Sequence, residues 1–164
     1  IMLWQGLHIR YIRTILKSAV NEVVDEIKKL QQENGVNLRN IIVDEDGVGG
    51  GVKDYLRCQG FTNNARALKG ENYQNLKTQC YYKLADQINK GQIGVSCSDV
   101  NIKNYITEEL EQVRTKDADK DNKLQIIPKD TVKSILGRSP DYADALAMRM
   151  YYEIDSNFGR YFVQ

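Results

Sequence analysis

The sequence predicts a mixed α/β fold, a β-sheet flanked by helices on both faces. Three observations predict it. Strand-like runs with period-two alternation are interleaved with runs of helical spacing. The segment NIIVD at residues 40–44 is short, β-branched and apolar, the composition of a buried strand. The strand-like segments are joined both by tight turns and by helical stretches, which is how mixed sheets are connected.

Each element can be read in order. Residues 1–15 form a hairpin: IMLW is strand-like, Gln5-Gly6 supplies the turn, and LHIRYIRTI alternates apolar with polar. Ser18 is placed as an N-cap for a helix carrying Val20, Val23, Val24, Ile27 and Leu30 on one face, stopped by Gly35. The strand NIIVD ends at Asp44 and enters a Gly-rich turn. VKDYLRCQG is a short helix with a glycine stop, and residues 61–75 read as a polar loop. Lys77–Asn89 is helical, with Tyr81, Leu84, Ala85 and Ile88 on one face. IGVSC is a short strand or edge segment, and Ile106–Val113 is a modest helix. KDADKDNK is a charged hairpin tip leading to the strand LQIIPK. Thr131–Leu136 is a short helix. Ser139-Pro140 opens a last helix from about Asp141 to Ile154, and the tail NFGRYFVQ is peripheral.

Bulk properties exclude several classes. The 164 residues fit one domain, 1–164, and 41% hydrophobic with 27% charged residues is a globular composition. No apolar run approaches the length of a membrane span, and the opening residues lack the features of a signal peptide. Three widely spaced cysteines and one histidine argue against structural zinc and for reduced thiols. A net charge of +1 means that any nucleic-acid binding must come from a local patch. The sequence opens on Ile1 in a strand-like run, and is expected to be a piece of a longer chain.

Two motifs carry chemistry. In IIVDEDGVGGGVKD, Asp44 sits at the carboxyl end of a central strand, where open α/β sheets place their sites. The glycines allow a sharp turn and leave room for a ligand. The competing reading of Asp44 is a plain turn residue, and Asp46 is read that way. The run lacks the Gly-Lys-Ser/Thr of a phosphate loop. In GRSPDYADALAM, Asp141 and Asp144 are three apart on the first turns of a helix. Acidic helix capping is the bland alternative. A divalent cation would offset their repulsion far more than the helix dipole does. Together the carboxylates Asp44, Asp141 and Asp144 suit oxygen coordination of magnesium or manganese, as a two-metal phosphodiesterase site requires.

Lys123, Lys129 and Arg138 are candidate DNA-phosphate contacts, with a salt bridge competing at Arg138 and simple solvation favoured for Lys133. Asp117, Asp119 and Asp121 mimic a calcium loop, but Asn122 and Pro128 stand where Gly and Glu are needed. His8 and the tyrosines Tyr81, Tyr82, Tyr151 and Tyr152 are assigned to structure.

IIVDEDGVGGGVKDYLRCQGF resembles the second nuclease motif of the terminase large subunits of tailed phages. YQNLKTQCYYKLADQINKGQI resembles the segment that follows it, and LQIIPKDTVKSILGRSPDYADALAMRM resembles the third motif. The resemblance runs in order over residues 1–152. It implies a ribonuclease-H-like fold and metal-dependent cutting of double-stranded DNA during genome packaging, by a virus- or prophage-encoded motor in the host cytoplasm at the procapsid vertex. By this resemblance Asp44 matches the second metal ligand, Asp141 the third, and Asp144 an acidic neighbour. The implied partners are DNA, a portal protein and a small terminase subunit. The family's first ligand, on an opening strand, and its ATPase domain fall outside this sequence. The alternatives are a module that grips DNA or docks on the portal without cutting, and another ribonuclease-H-like nuclease such as a resolvase.

Overall fold

The computed structural model describes residues 1–16, 19–46, 49–116 and 122–155. Ser18, the tip residues Asp117, Asp119 and Asp121, and the segment NFGRYFVQ lie outside them. The chain divides into two compact units. One comprises Ile1 and residues 13–64; the other comprises residues 2–12 and 65–164.

The first unit is built on helix α1 (Val20–Asn34), whose start and stop follow from local chemistry. Glu22 reaches back to accept the Ala19 N–H at 3.1 Å, and Gly35 ends the helix in the left-handed conformation at φ 61°. Strand β3 (Ile42–Asp44) leads into helix α2 (Gly49–Leu56), which returns the chain to strand β4 (Gln59–Phe61) parallel to β3. Apolar faces meet in a core of Val24, Ile27, Val52 and Leu56, with Ile41, Val43 and Cys58 packed against it.

Two expectations change in this unit. The glycine run is not all turn: Gly49, Gly50 and Gly51 are the first residues of α2. Gly60 is also not a helix stop. The helix ends at Leu56, Arg57 takes the left-handed conformation, and Gly60 is a strand residue in β4. A Cβ at Gly60 would lie 2.4 Å from Glu45 Oε2, so the absence of a side chain there serves packing rather than a turn.

The second unit opens with the expected hairpin, β1 (Met2–Gln5) antiparallel to β2 (His8–Ile12). IGVSC supplies a short third strand, β5 (Gly94–Val95), parallel to β2, so this sheet is mixed. His8 packs over Gly94 and its Nε2 lies 2.7 Å from Ser96 Oγ, a structural role. Helix α3 (Leu76–Asn89) starts where Asn75 accepts the Thr78 N–H. Helix α4 runs from Val100 to Glu111, longer than expected. Asp99 caps it, and polar residues between Val100 and Ile106 hid its first turn from periodicity.

Strand β7 (Gln125–Ile126) lies within the expected strand LQIIPK, and it pairs antiparallel with β6 (Thr115–Lys116), a strand not expected before the charged tip. Helix α5 (Lys129–Leu136) stops at Gly137, φ 69°. The last helix divides at Met150 into α6 (Asp141–Arg149) and α7 (Tyr151–Ile154). Helix α3 packs on α6 and α7, and α4 packs on α5 and α6. Cys80, Leu84, Ala143, Leu146, Ala147 and Met150 are buried there. All three cysteines are free, and no helix among the described residues is long and apolar enough to cross a membrane.

Candidate active site

In the first unit, Asp44 ends β3 half-buried. Its Oδ1 accepts the Asp46 N–H at 3.1 Å and the Asn63 Nδ2 amide at 3.0 Å. Asn63 also donates to Asp46 Oδ2 through its backbone N–H at 3.1 Å and its side chain at 2.6 Å. Asp46 therefore closes the turn, as expected of it, and Asn63 holds both acids. Between them in sequence, Glu45 pairs with Lys53 and accepts the Thr62 hydroxyl at 3.0 Å. The hydrogen bonds from Lys53 and Thr62 lower its pKa. Helix α2 begins directly against this strand end: a Cβ at Gly49 would sit 1.6 Å from the Asp44 carbonyl oxygen.

In the second unit, α6 presents two different acids. Asp141 is exposed, and its side chain makes no hydrogen bond or ion pair among the described residues. Asp144 is the opposite. Its Oδ1 takes the Lys77 ammonium at 2.7 Å and the Tyr81 hydroxyl at 2.6 Å, and its Oδ2 takes Lys129 at 2.5 Å. Burial pushes the Asp144 carboxyl up, but the Lys77 charge and the hydrogen bonds from Lys129, Lys77 and Tyr81 outweigh it and the pKa is lowered. Tyr81 is pushed well above its ordinary value by burial and by the adjacent Asp144, so it stays a donor.

Arg138 is committed to α4. It pairs with Glu109 and, at 3.2 Å, with Glu108, and its guanidinium lies 4.4 Å from the centre of the Tyr105 ring. The salt bridge weighed against a phosphate contact at this position is thus formed. Lys129 is engaged by Asp144. Lys123 is exposed, and Lys133 lies 3.9 Å from the exposed Asp130 on the same helix.

No family model and no curated protein matches the sequence. Solved structures do. The nuclease domain of the large terminase subunit of bacterial virus Sf6 superposes with a TM-score of 0.71 at 24% identity, covering 88% of this chain and 78% of that one. A lysine-to-alanine variant of that domain with manganese gives a TM-score of 0.74 at 23% identity, covering 88% and 79%. The same variant with manganese and beta-thujaplicinol gives 0.73 at 22% identity, covering 88% and 78%. The chain has the fold of a terminase nuclease domain.

Within that terminase nuclease fold, the donor chemistry can be tested against a hard divalent cation. Asp44 and Asp141 are carboxylates with oxygen to offer, which suits magnesium or manganese. Asp144, with both oxygens held by lysines and a tyrosine, does not offer a vacant oxygen in this arrangement. Among the described residues, no three His, Cys, Asp or Glu side chains group closely enough to hold a metal ion.

Several residues of this terminase-like fold were not legible in the sequence as parts of a site. Asn63 lies in a segment read as loop, Lys77 reads as an ordinary helix lysine, and Tyr81 is assigned to structure. Glu109 had a signal that could have found it. It stands three residues after buried Ile106, in line with the apolar face of α4, where a carboxylate must be satisfied.

Proposed function

We propose that this chain is the nuclease domain of a viral DNA-packaging terminase, a metal-dependent endonuclease that cuts concatemeric double-stranded DNA as capsids are filled. The observation that carries this reading is the match to a terminase nuclease domain over 88% of the chain. The exposed Asp141 carboxylate on the first turn of α6 supports it.

In this reading Asp44 and Asp141 are the principal metal ligands, and Asp144 is the supporting carboxylate that holds Lys77 and Lys129. Bound magnesium or manganese supplies Lewis-acid polarisation of the phosphate and activation of water. Asp141 meets cation and substrate from the surface. Lys123 meets DNA phosphate as a mobile point charge, and Lys129 presents a cation already placed by Asp144. Arg138 contributes through its pairing with Glu109 rather than through phosphate. The full motor would add a portal protein and a small terminase subunit as partners, in the host cytoplasm at the procapsid vertex. With a net charge of +1, DNA binding by this chain is weak, independent of sequence and lost as salt rises.

Nicking of supercoiled plasmid in manganese tests the proposal. The full-length protein, with the family's first ligand in place, is expected to nick, and Asp141→Asn and Asp44→Asn in it to be inactive while folded. A chain that retards plasmid in a gel but leaves it uncut would be a gripping module. Wild-type cutting by Asp141→Asn would remove that residue from the mechanism.

A further inference from the structure

Helix α3 carries two polar faces. Lys77 and Tyr81 reach Asp144. Gln79, Tyr82, Lys83 and Asp86, spaced i, i+3, i+4 and i+7, instead line a cavity of about 290 Å³. That volume is near the lower end of small-molecule pockets, about 300 Å³. The cavity shares no lining residue with the Asp144 cluster.

Its wall is aromatic. Tyr73 and Tyr82 meet with ring centroids 5.3 Å apart and planes tilted by 52°, and both are half-buried. The Tyr82 hydroxyl lies 3.1 Å from Thr115 Oγ1, which fixes that ring. Buried Gln79 holds one side: its amide oxygen accepts the Leu68 N–H at 2.8 Å and its amide nitrogen donates to the Leu68 carbonyl at 3.1 Å. This grip secures the turn that carries Lys69, whose backbone is left-handed at φ 57°. That region favours glycine, so a lysine there is held by its surroundings. The charges are unevenly committed. Asp86 pairs with Lys90 at 2.8 Å and Glu153 with Arg149 at 3.0 Å, both partners lying outside the lining. Lys69 and Lys83 make no hydrogen bond or ion pair among the described residues. They face the cavity with Glu71 as the remaining carboxylate.

We propose that this cavity binds a nucleotide: the base stacks on Tyr73 and Tyr82, the phosphate meets Lys69 and Lys83, and Glu71 accepts an amino group of the base. Every base has a π-face, so an aromatic wall takes any of them. Lysine ammoniums serve phosphate as point charges, and a carboxylate accepts from an exocyclic amine of a base. Bases inside a duplex have both faces covered by their neighbours, so the DNA recognised is a single strand or a frayed end. A free nucleotide offers the same chemistry. The site needs neither Asp44 nor Asp141 and stands apart from the reading of those acids.

Fluorescence anisotropy of a labelled mixed-sequence 12-mer, titrated with the full chain in EDTA, tests it. The single strand is expected to bind more tightly than the same sequence as a duplex. Tyr82→Leu should weaken single-strand binding by about tenfold, while Tyr82→Phe, which keeps the ring, should not. Lys83→Glu should weaken binding and flatten its dependence on salt, the signature of a lost phosphate contact. Displacement of the strand by dAMP would make a free nucleotide a ligand of the site, and failure of dAMP to displace it would make the strand the ligand; both agree with the proposal. If neither the strand nor dAMP binds, the proposal is overturned. Binding that is equal for strand and duplex, and unchanged in folded Tyr82→Leu and Lys83→Glu, overturns it too. If Tyr82→Leu does not fold, a strand carrying 2-aminopurine reads stacking in the wild-type chain: quenching on binding that Lys83→Glu reduces supports the site, and a bound but unquenched strand overturns it.

Discussion

The carboxylate of Asp144 meets the ammonium of Lys77 at 2.7 Å, with both side chains only 16% exposed. A pair this sheltered makes its partners interdependent, because a carboxylate left short of donors keeps its desolvation cost. Lys77→Met is expected to lower stability by about 1–3 kcal/mol. Asp144 keeps Lys129 and Tyr81, so the loss should stay below that of a pair broken outright. Urea unfolding measures it, and a change under about 0.5 kcal/mol would show the pair to be no better than a surface one.

Gly49→Ala reverses the usual rule. Alanine inside a helix ordinarily stabilises relative to glycine by about 1 kcal/mol. Here the new methyl would collide with the Asp44 carbonyl, so α2 or the end of β3 must shift. Destabilisation of about 2 kcal/mol or more is expected. A neutral or stabilising effect in thermal unfolding would mean that α2 does not start against Asp44.

Glu109 gives stability a pH dependence of known sign. Burial raises its pKa more than the Ala143 amide and the Arg138 guanidinium lower it, so the folded value lies above the ordinary 4.5. Its contribution is therefore fully present below pH 4.5 and declines as pH rises through the folded value. The stability of wild type minus that of Glu109→Gln should be larger at pH 4 than at pH 7. Urea midpoints at the two pH values check this, and the opposite trend would mean that Arg138 dominates burial.

Burial pushes the Cys80 thiol up to about 12. At pH 8 only about one such thiol in ten thousand is ionised, and it is also fully enclosed. Iodoacetamide should leave Cys80 unmodified in the native protein and modify it in urea. Peptide mass mapping that finds native Cys80 alkylated within minutes would show that α3 opens readily.

Local chemistry determined much of this protein. The hairpin of β1 and β2 followed from alternation around Gly6, α1 from its apolar spacing and Gly35, and β7 from the apolar run of LQIIPK. Asp44 and Asp141 stood out because a carboxylate at a strand end or on a helix's first turn is visible in a few neighbouring residues.

What the tertiary structure decided were relations across many residues of chain. That Asp144 is enclosed by Lys77, Tyr81 and Lys129 while Asp141 stays open is invisible in DYAD, where both are acids on one turn. That Arg138 is held by Glu109, 29 residues earlier, depends on α4 packing against α6. Even the glycines changed meaning: Gly49 looked like turn chemistry, and its reason is close contact with Asp44. Hydrogen-bond partners and burial are properties of packed neighbours, and periodicity carries no record of which neighbours those will be.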